Sequence, residues 1–233
     1  MKITIITVTF NAAEALSKTL RNASAFREKF HDYIVVDGGS SDGTREVIDF
    51  YIRMGVVTKW VSESDSGIYD AMNKGWRLAD DDSHVLYLGA GDMLVSVPDF
   101  HGHGYPSDAI FYGNVELEGR GVFRAKADWH LCLGNTLHHQ ALLVPKWINL
   151  DAPFDCKFKT YADFDFNQRL MIRGEKFIFR PDFISFAADG GVSFLLNKSE
   201  MVAVCRKNYG RLVAKLSTIF LWMHDLKSRL FGG

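Results

Sequence analysis

Four short runs of apolar and β-branched residues set the frame of this chain: Ile3–Phe10, Tyr33–Val36, Val56–Val61 and Val85–Leu88. The run Tyr33-Ile34-Val35-Val36 is apolar almost throughout, so a strand made from it must be covered on both faces. Strands of that kind belong to parallel sheets with helices above and below. The segments between the runs supply those helices. Leu16, Leu20 and Ala23 mark the first and Val47, Ile48, Tyr51 and Ile52 the second. The third spans Tyr69–Leu78, with Tyr69, Met72 and Trp76 on one face. Each set has the three- and four-residue spacing of a helical stripe. Strand and helix alternating at this rhythm predict an α/β domain with a mainly parallel central sheet and flanking helices.

Polar residues gather just past the ends of these strands. Asn11, Asp37, Glu63 with Asp65, and Asp92 all follow an apolar run directly or nearly so. In open α/β sheets the ligand crevice lies outside the carboxyl ends of the strands. Glu63 and Asp65, two apart on extended backbone, point the same way. The turn Ser66-Gly67 then opens a helix, and acids beside new backbone N–H groups suit a sugar- or nucleotide-like ligand. A capped helix after an ordinary loop is the plainer reading of that stretch. The loop Asp37–Thr44 is no dinucleotide fingerprint, because Ser40 breaks the glycine frame, and it lacks the lysine of a phosphate loop.

Beyond residue 93 the pattern is less regular. Ala109–Val115 reads as a strand, Gly121–Ala127 as a partner for its continuation, and Ala141–Val144 as a further short strand. A helix opens in Tyr161–Leu170, carries Phe166, Leu170 and Ile172 on its apolar side and ends at Gly174, before a strand at Phe177–Phe179. Asp163 and Asp165 at its start match the helix dipole. The glycines of Gly190-Gly191-Val192-Ser193 allow a backbone-first approach to a ligand. Alternating His and Gly at Phe100–Gly104 reads as a surface turn and not as a metal site.

Composition narrows the function classes. At 233 residues, 47% hydrophobic and 24% charged, the chain fits one sizeable soluble domain. A net charge of −1 gives no global attraction to nucleic acid, and none is expected as a partner. Cys132, Cys156 and Cys205 are odd in number and form no C-x-x-C, which fits a reducing compartment. Thr4, Thr7 and Thr9 interrupt the first apolar run, so it is read as a strand and not as a signal peptide. No apolar run reaches the length of about 18 residues needed to span a membrane. The tail is different in kind: Leu212, Leu216, Ile219, Phe220, Met223, Leu226 and Leu230 follow helical spacing beside Trp222. Arg206, Lys207, Arg211, Lys215, Lys227 and Arg229 outnumber its acids. Such a helix lies in a membrane interface, packs on the domain, or pairs with a second copy of the chain.

Taken in order, these motifs resemble the inverting, family 2 glycosyltransferases of the GT-A fold, a Rossmann-like nucleotide-diphospho-sugar transferase architecture. The resemblance rests on Val8–Asn11, Val36–Thr44, Ser62–Gly75, Gly89–Asp92, His139-Gln140, Ala162–Asp165 and Gly190–Ser193. The block Gly67–Gly75 is similar to members that build bacterial surface polysaccharides. It implies a donor pocket in which Asp37 and Asp65 hold the base and ribose, lined by Thr9 and Asn11. Glu63, Asn73 and Gly91 would join the donor contacts, Lys74 would reach a phosphate or hold the pocket carboxylates, and His139 and Gln140 would stand near the diphosphate. Asp92 corresponds to the last acid of the family's D-x-D metal motif, of which Ala90 and Gly91 replace the rest, so a Mn2+ or Mg2+ cofactor would rest on one carboxylate. Asp163 matches the general base.

The expectation is therefore a glycosyltransferase, hexosyl- or N-acetylhexosaminyl-transferring, with a body at 1–197 and a basic amphipathic helical tail at 198–233. It would take a nucleotide-sugar, a UDP-sugar favoured, and a lipid-linked or oligosaccharide acceptor. Its place would be cytoplasmic and peripheral on the inner face of the membrane, held by the tail, or a homodimer through it. A non-catalytic sugar-nucleotide-binding protein and a nucleotidyltransferase are the rivals.

Overall fold

The computed structural model describes residues 1–100, 105–148, 151–189 and 197–231, with side chains as far as Met223. The expectations at His101–Gly104 and Gly190–Ser193 lie outside the described residues. The chain runs β1 (Lys2–Thr9), α1 (Ala13–Ser24), β2 (Asp32–Asp37), α2 (Thr44–Arg53), β3 (Lys59–Ser62), α3 (Ile68–Leu78) and β4 (Ser83–Gly89). It continues through β5 (Met93–Ser96), β6 (Ala109–Leu117), β7 (Gly121–Phe123), β8 (Leu142–Pro145), α4 (Ala162–Ile172), β9 (Lys176–Ala187) and α5 (Lys198–Phe231). The sheet order is β3-β2-β1-β4-β8-β6-β9-β5, with β7 paired to β6.

The first half of the sheet is parallel, as the apolar runs require: β1 pairs with β2 and β4, and β2 with β3. From β8 onward it is mixed, since β8 runs antiparallel to both β4 and β6 while β6 and β9 are parallel. Helices α1 and α2 cover one face, where Leu16, Leu20, Ile48 and Tyr51 pack with Ile5, Val35 and Leu86. On the other face Met72 and Trp76 of α3 join Phe164, Phe166 and Leu170 of α4 and Val204 of α5. Burial of such side chains, at roughly 25 cal/mol per Å² of apolar surface, is what holds three layers together.

Three differences from the sequence reading have physical causes. The third strand begins at Lys59; Val56 and Val57, though buried, serve the loop that leads into it. Ile172 is 51% exposed, because α4 is buried almost all round until its last turn. Strand β9 meets β6 in two registers, with Arg180–Phe183 bulging out opposite Gly113, where a side chain would land on the Phe183 carbonyl.

Helix α5 is two helices joined at Gly210, whose φ of 85° and ψ of −176° interrupt the helical path. The first part is core: Met201, Val204 and Cys205 are buried. Lys207 Nζ pairs with Asp165 Oδ1 at 2.8 Å and Asp155 Oδ2 at 3.0 Å, so this lysine, 39% exposed, has its charge matched by the domain's own acids. Arg169 Nε, 2.9 Å from Asp165 Oδ2, completes the neutralisation of that fully buried carboxylate. Past Gly210, Ser217 Oγ donates to the Leu133 carbonyl at 2.7 Å, the Phe220 ring lies against Gly134, and Leu221 packs on the core. Phe220 and Leu221 thus face the body. The exposed stripe is Leu212, Leu216, Ile219, Trp222 and Met223.

Candidate active site

Parallel register brings the strand ends level. Thr9 stands beside Asp37 and Asp37 beside Ser62, while Val8 pairs with Gly89. The turn after β4 carries Asp92, a short 3-10 turn at His139–Ala141 leads into β8, and the first turn of α4 presents Asp163. A cavity of about 470 Å³ opens at this junction. Thr9, Asp65, Asp92, His139, Gln140 and Asp163 all line it, so six of the expected site residues, from widely separated stretches, converge.

Asp163 is held by its neighbours. Its Oδ1 accepts the Phe164 N–H at 2.8 Å, and its Oδ2 lies 3.4 Å from His139 Nδ1 and 3.5 Å from Asn135 Nδ2. The Tyr69 hydroxyl donates to the Thr160 carbonyl at 2.6 Å and stands 3.3 Å from Asp163 Oδ1. Burial pushes that phenol well above its ordinary range, and the Asp163 charge adds to the rise, so Tyr69 stays protonated. Asp92 is 6% exposed; its Oδ2 accepts the Gly89 N–H at 2.7 Å and its Oδ1 the Ala188 N–H at 3.1 Å. Burial lifts its carboxyl above the usual carboxylate range, with His139 and the two N–H groups working against the rise. Asp65 accepts the Gly67 N–H at 2.9 Å and packs on Gly38, where a Cβ would sit 2.6 Å from Asp65 Oδ2. Only glycine at position 38 permits that approach.

Two buried oxygens on the cavity wall, Thr9 Oγ1 and Gln140 Oε1, have no hydrogen-bond partner among the described residues. A buried orphan of this kind costs about 1–3 kcal/mol and is rare in folded domains.

The remaining expected residues stand elsewhere. Asn11 and Gly91 line a neighbouring open groove that shares Ala12 and Ala188 with the cavity. Asn11, at a φ of 46°, accepts the Ser41 N–H at 2.9 Å and so fixes the loop after β2. Asp37 is fully buried and spends its carboxylate on Ser40 and on Ser62 Oγ at 2.6 Å, knitting β2 to β3. Lys74 donates to the Ser64 carbonyl at 2.8 Å and pairs with Glu63 at 3.0 Å, holding the loop that carries Asp65. Asn73 gives both ends of its amide to Phe154, donating to the carbonyl at 2.8 Å and accepting the N–H at 3.0 Å.

Sequence reasoning missed four lining residues with polar groups: Tyr69, Arg120, His138 and Asp189. Tyr69 was read as a core position, which its ring is. Arg120 sits on the β6–β7 turn, between Gly119 and Gly121 at φ of 68° and 82°. Those glycines were the available signal, but the turn's place over the cavity is tertiary. Burial brings the His138 imidazole down to about 4, so it is neutral at physiological pH, and its ring meets Phe123 edge-on at 4.2 Å.

Among the described residues no cluster of three or more His, Cys, Asp or Glu is arranged to hold a metal ion. Among the carboxylates lining this cavity, Asp92, whose two oxygens are oriented by backbone N–H groups, is the hard donor that the motif assigns to a divalent cation. That fits the magnesium or manganese mode in which one carboxylate serves and phosphate oxygens and waters complete the shell.

Comparison with known proteins agrees with this geometry. The profile described as Glycosyl transferase family 2 matches residues 4–93. The "PGL/p-HBAD biosynthesis glycosyltransferase" of Mycobacterium bovis (strain BCG / Pasteur 1173P2) is 30% identical over 178 residues, 71% of this chain and 68% of that one. In fold the chain is similar to S. aureus TarS 1-349 in complex with UDP, with a TM-score of 0.65, 17% identity, and 100% and 74% of the two chains covered. It is also similar to the mannosyltransferase PcManGT from Pyrobaculum calidifontis in complex with GDP-Man and Mn2+, with a TM-score of 0.59, 15% identity, and 97% and 80% covered.

Proposed function

The chain belongs to glycosyl transferase family 2, and from that premise we propose that it transfers one sugar from a nucleoside-diphosphate sugar to an acceptor hydroxyl with inversion, Asp163 acting as general base. Its GT-A fold is that of its structural neighbours. The observation that carries the reading is the single cavity in which Asp65, Asp92, His139 and Asp163 stand with the unpartnered oxygens of Thr9 and Gln140. The hydroxyls of a nucleotide-sugar suit these carboxylates, and a divalent cation on Asp92 would offset the charge of its diphosphate.

The chemistry assigns the parts. The acceptor oxygen attacks the anomeric carbon as its proton passes to Asp163, and the bond from that carbon to the diphosphate oxygen breaks, so one displacement inverts the centre. His139, close to the same carboxylate, orients it and carries part of its charge. Asp65 and Thr9 are suited to hydroxyls of the nucleoside. Asp92 would hold a Mn2+ or Mg2+ ion, which when bound draws off the charge developing on the leaving diphosphate. We favour a UDP-sugar carrying a hexosyl or N-acetylhexosaminyl group.

For the acceptor we propose a lipid-linked or growing glycan, met at the inner face of the cytoplasmic membrane. Among the described residues no helix is long and apolar enough to cross a membrane. What supports docking is the exposed stripe of α5 beyond Gly210, with Arg211 and Lys215 exposed beside it. We assign the membrane role to that part and not to the whole of 198–233, because before Gly210 the apolar side chains of Met201, Val204 and Cys205 are buried in the core. Each basic residue near an anionic surface adds up to about 1 kcal/mol, and apolar insertion adds more. A Leu216→Glu, Trp222→Glu double variant should leave the pellet when sedimented with anionic vesicles. Unchanged sedimentation would remove the docking claim.

The decisive experiment is Asp163→Asn. Turnover should fall by roughly 10²- to 10⁴-fold while the thermal shift given by the donor survives. Unchanged turnover would eliminate Asp163 as the base. A native chain stabilised by none of the UDP-, GDP- or dTDP-sugars, with or without Mn2+, would eliminate the donor assignment itself.

A further inference from the structure

The charge inventory of the cavity is lopsided. Asp65, Asp92, Asp163 and Asp189 line it, against one Lys or Arg side chain among the described lining residues, Arg120. A nucleoside diphosphate brings further negative charge into that setting, and like charges at close range in a partly dry cleft repel strongly. One divalent ion on Asp92 offsets part of this. Resting on the donor assignment above, we propose that Arg120 is the protein's own cation for the diphosphate, a binding residue carried on the β6–β7 turn at the cavity mouth.

The turn is built to hold a side chain there. Leu117 pairs with Gly121 across the hairpin, and the Arg120 N–H donates to the Leu117 carbonyl at 3.0 Å. The left-handed glycines on either side make so tight a reversal accessible. The turn is also tied to the end of the neighbouring strand β9, where Ala187 pairs with Leu117. Glu118 N–H donates to the Ala187 carbonyl at 3.1 Å, and Asp189 N–H donates to Glu118 Oε2 at 2.8 Å. Ala187, Ala188 and Asp189 line the cavity together with Leu117 and Arg120, so this part of the wall is held as one piece. A guanidinium suits the task better than an ammonium, because its planar fork meets two phosphate oxygens at once. Arg120 is exposed and lines the cavity.

The test separates the phosphates from the nucleoside. Dissociation constants for UDP and uridine, and for GDP and guanosine, are measured by calorimetry on the full chain in the presence of Mn2+. Arg120→Ala should weaken the nucleoside diphosphate roughly 10- to 100-fold and change the bare nucleoside by less than about twofold. Arg120→Lys should fall between. Arg124→Ala, which removes an exposed charge four residues on and outside the cavity lining, should match the native chain. If Arg120→Ala keeps the native ratio of diphosphate to nucleoside affinity, or Arg124→Ala loses as much, the assignment of Arg120 is overturned and the donor site stands. If the native chain binds neither diphosphate, the donor site itself falls, and Arg120 with it.

Discussion

Replacing Asn73 by alanine separates two roles for a residue that sequence resemblance places among the donor contacts. In the fold Asn73 is 4% exposed, and its amide closes both backbone groups of Phe154, 81 residues away, at 2.8 and 3.0 Å. Phe154 is itself 2% exposed and packs with the rings of Tyr69, Tyr87 and Phe166. Alanine leaves the buried N–H without a partner and the carbonyl with only the weak Cys156 thiol donor at 3.8 Å, each costing about 1–3 kcal/mol, so the pair sums to about 4 kcal/mol. For a chain of this size that lowers Tm by roughly 10 °C. Asn73→Asp adds a signature of its own. An ionised carboxylate accepts the Phe154 N–H but repels the carbonyl, whereas the protonated form donates to it. Measured against the native chain at each pH, the aspartate variant should therefore be weakest near neutrality and recover as pH falls. The assay is differential scanning calorimetry alongside donor KM. A variant that melts within about 1 °C of the native chain while its donor KM rises would refute the pin and return Asn73 to the donor site.

Two further outcomes are expected. Gly113→Ala puts a methyl group onto the Phe183 carbonyl, which as backbone cannot rotate away, and should cost about 3 kcal/mol by urea unfolding; a loss below about 1 kcal/mol would mean that the β9 bulge yields. His84, buried with its Nε2 at 3.2 Å from the Ala109 carbonyl, has its imidazole brought down to about 4 by burial. The unfolded chain takes that proton first, near pH 6.5, so stability is full above that point and falls by about 3 kcal/mol toward pH 4. His84→Leu should flatten this part of the stability–pH curve; an unaltered slope would place the loss elsewhere.

The parallel half of the sheet was legible because its strands are runs of apolar and β-branched residues separated by helical stripes, and the acids beyond Val36, Val61 and Leu88 mark strand ends by contrast. That Asp65, Asp92, His139 and Asp163 share one cavity was reachable through motif order. What stayed hidden depends on contacts between distant segments. Nothing local shows that Asp37 is fully buried and already bonded to Ser40 and Ser62. Helix α4 is buried on nearly every side, so no polar face announces that Asp165 is enclosed by Arg169 and Lys207. The same pairing matches the Lys207 charge with the domain's own acids. Met93–Ser96 becomes strand β5 only because β9 offers it an edge.

Gly210 leaves the second half of α5 pointing where a single torsion directs it. The conformation there is essentially reserved for glycine, costing other residues about 1–3 kcal/mol, and no neighbouring atom lies within 4 Å of the space a methyl group would fill. Alanine would thus meet no wall, only backbone strain, and would relieve it by running the two segments together as one rod. Ser217 and Phe220 would swing away from Leu133 and Gly134 and carry the exposed stripe with them. The heading of an entire amphipathic arm is in this way written in the one residue that has no side chain to show for it.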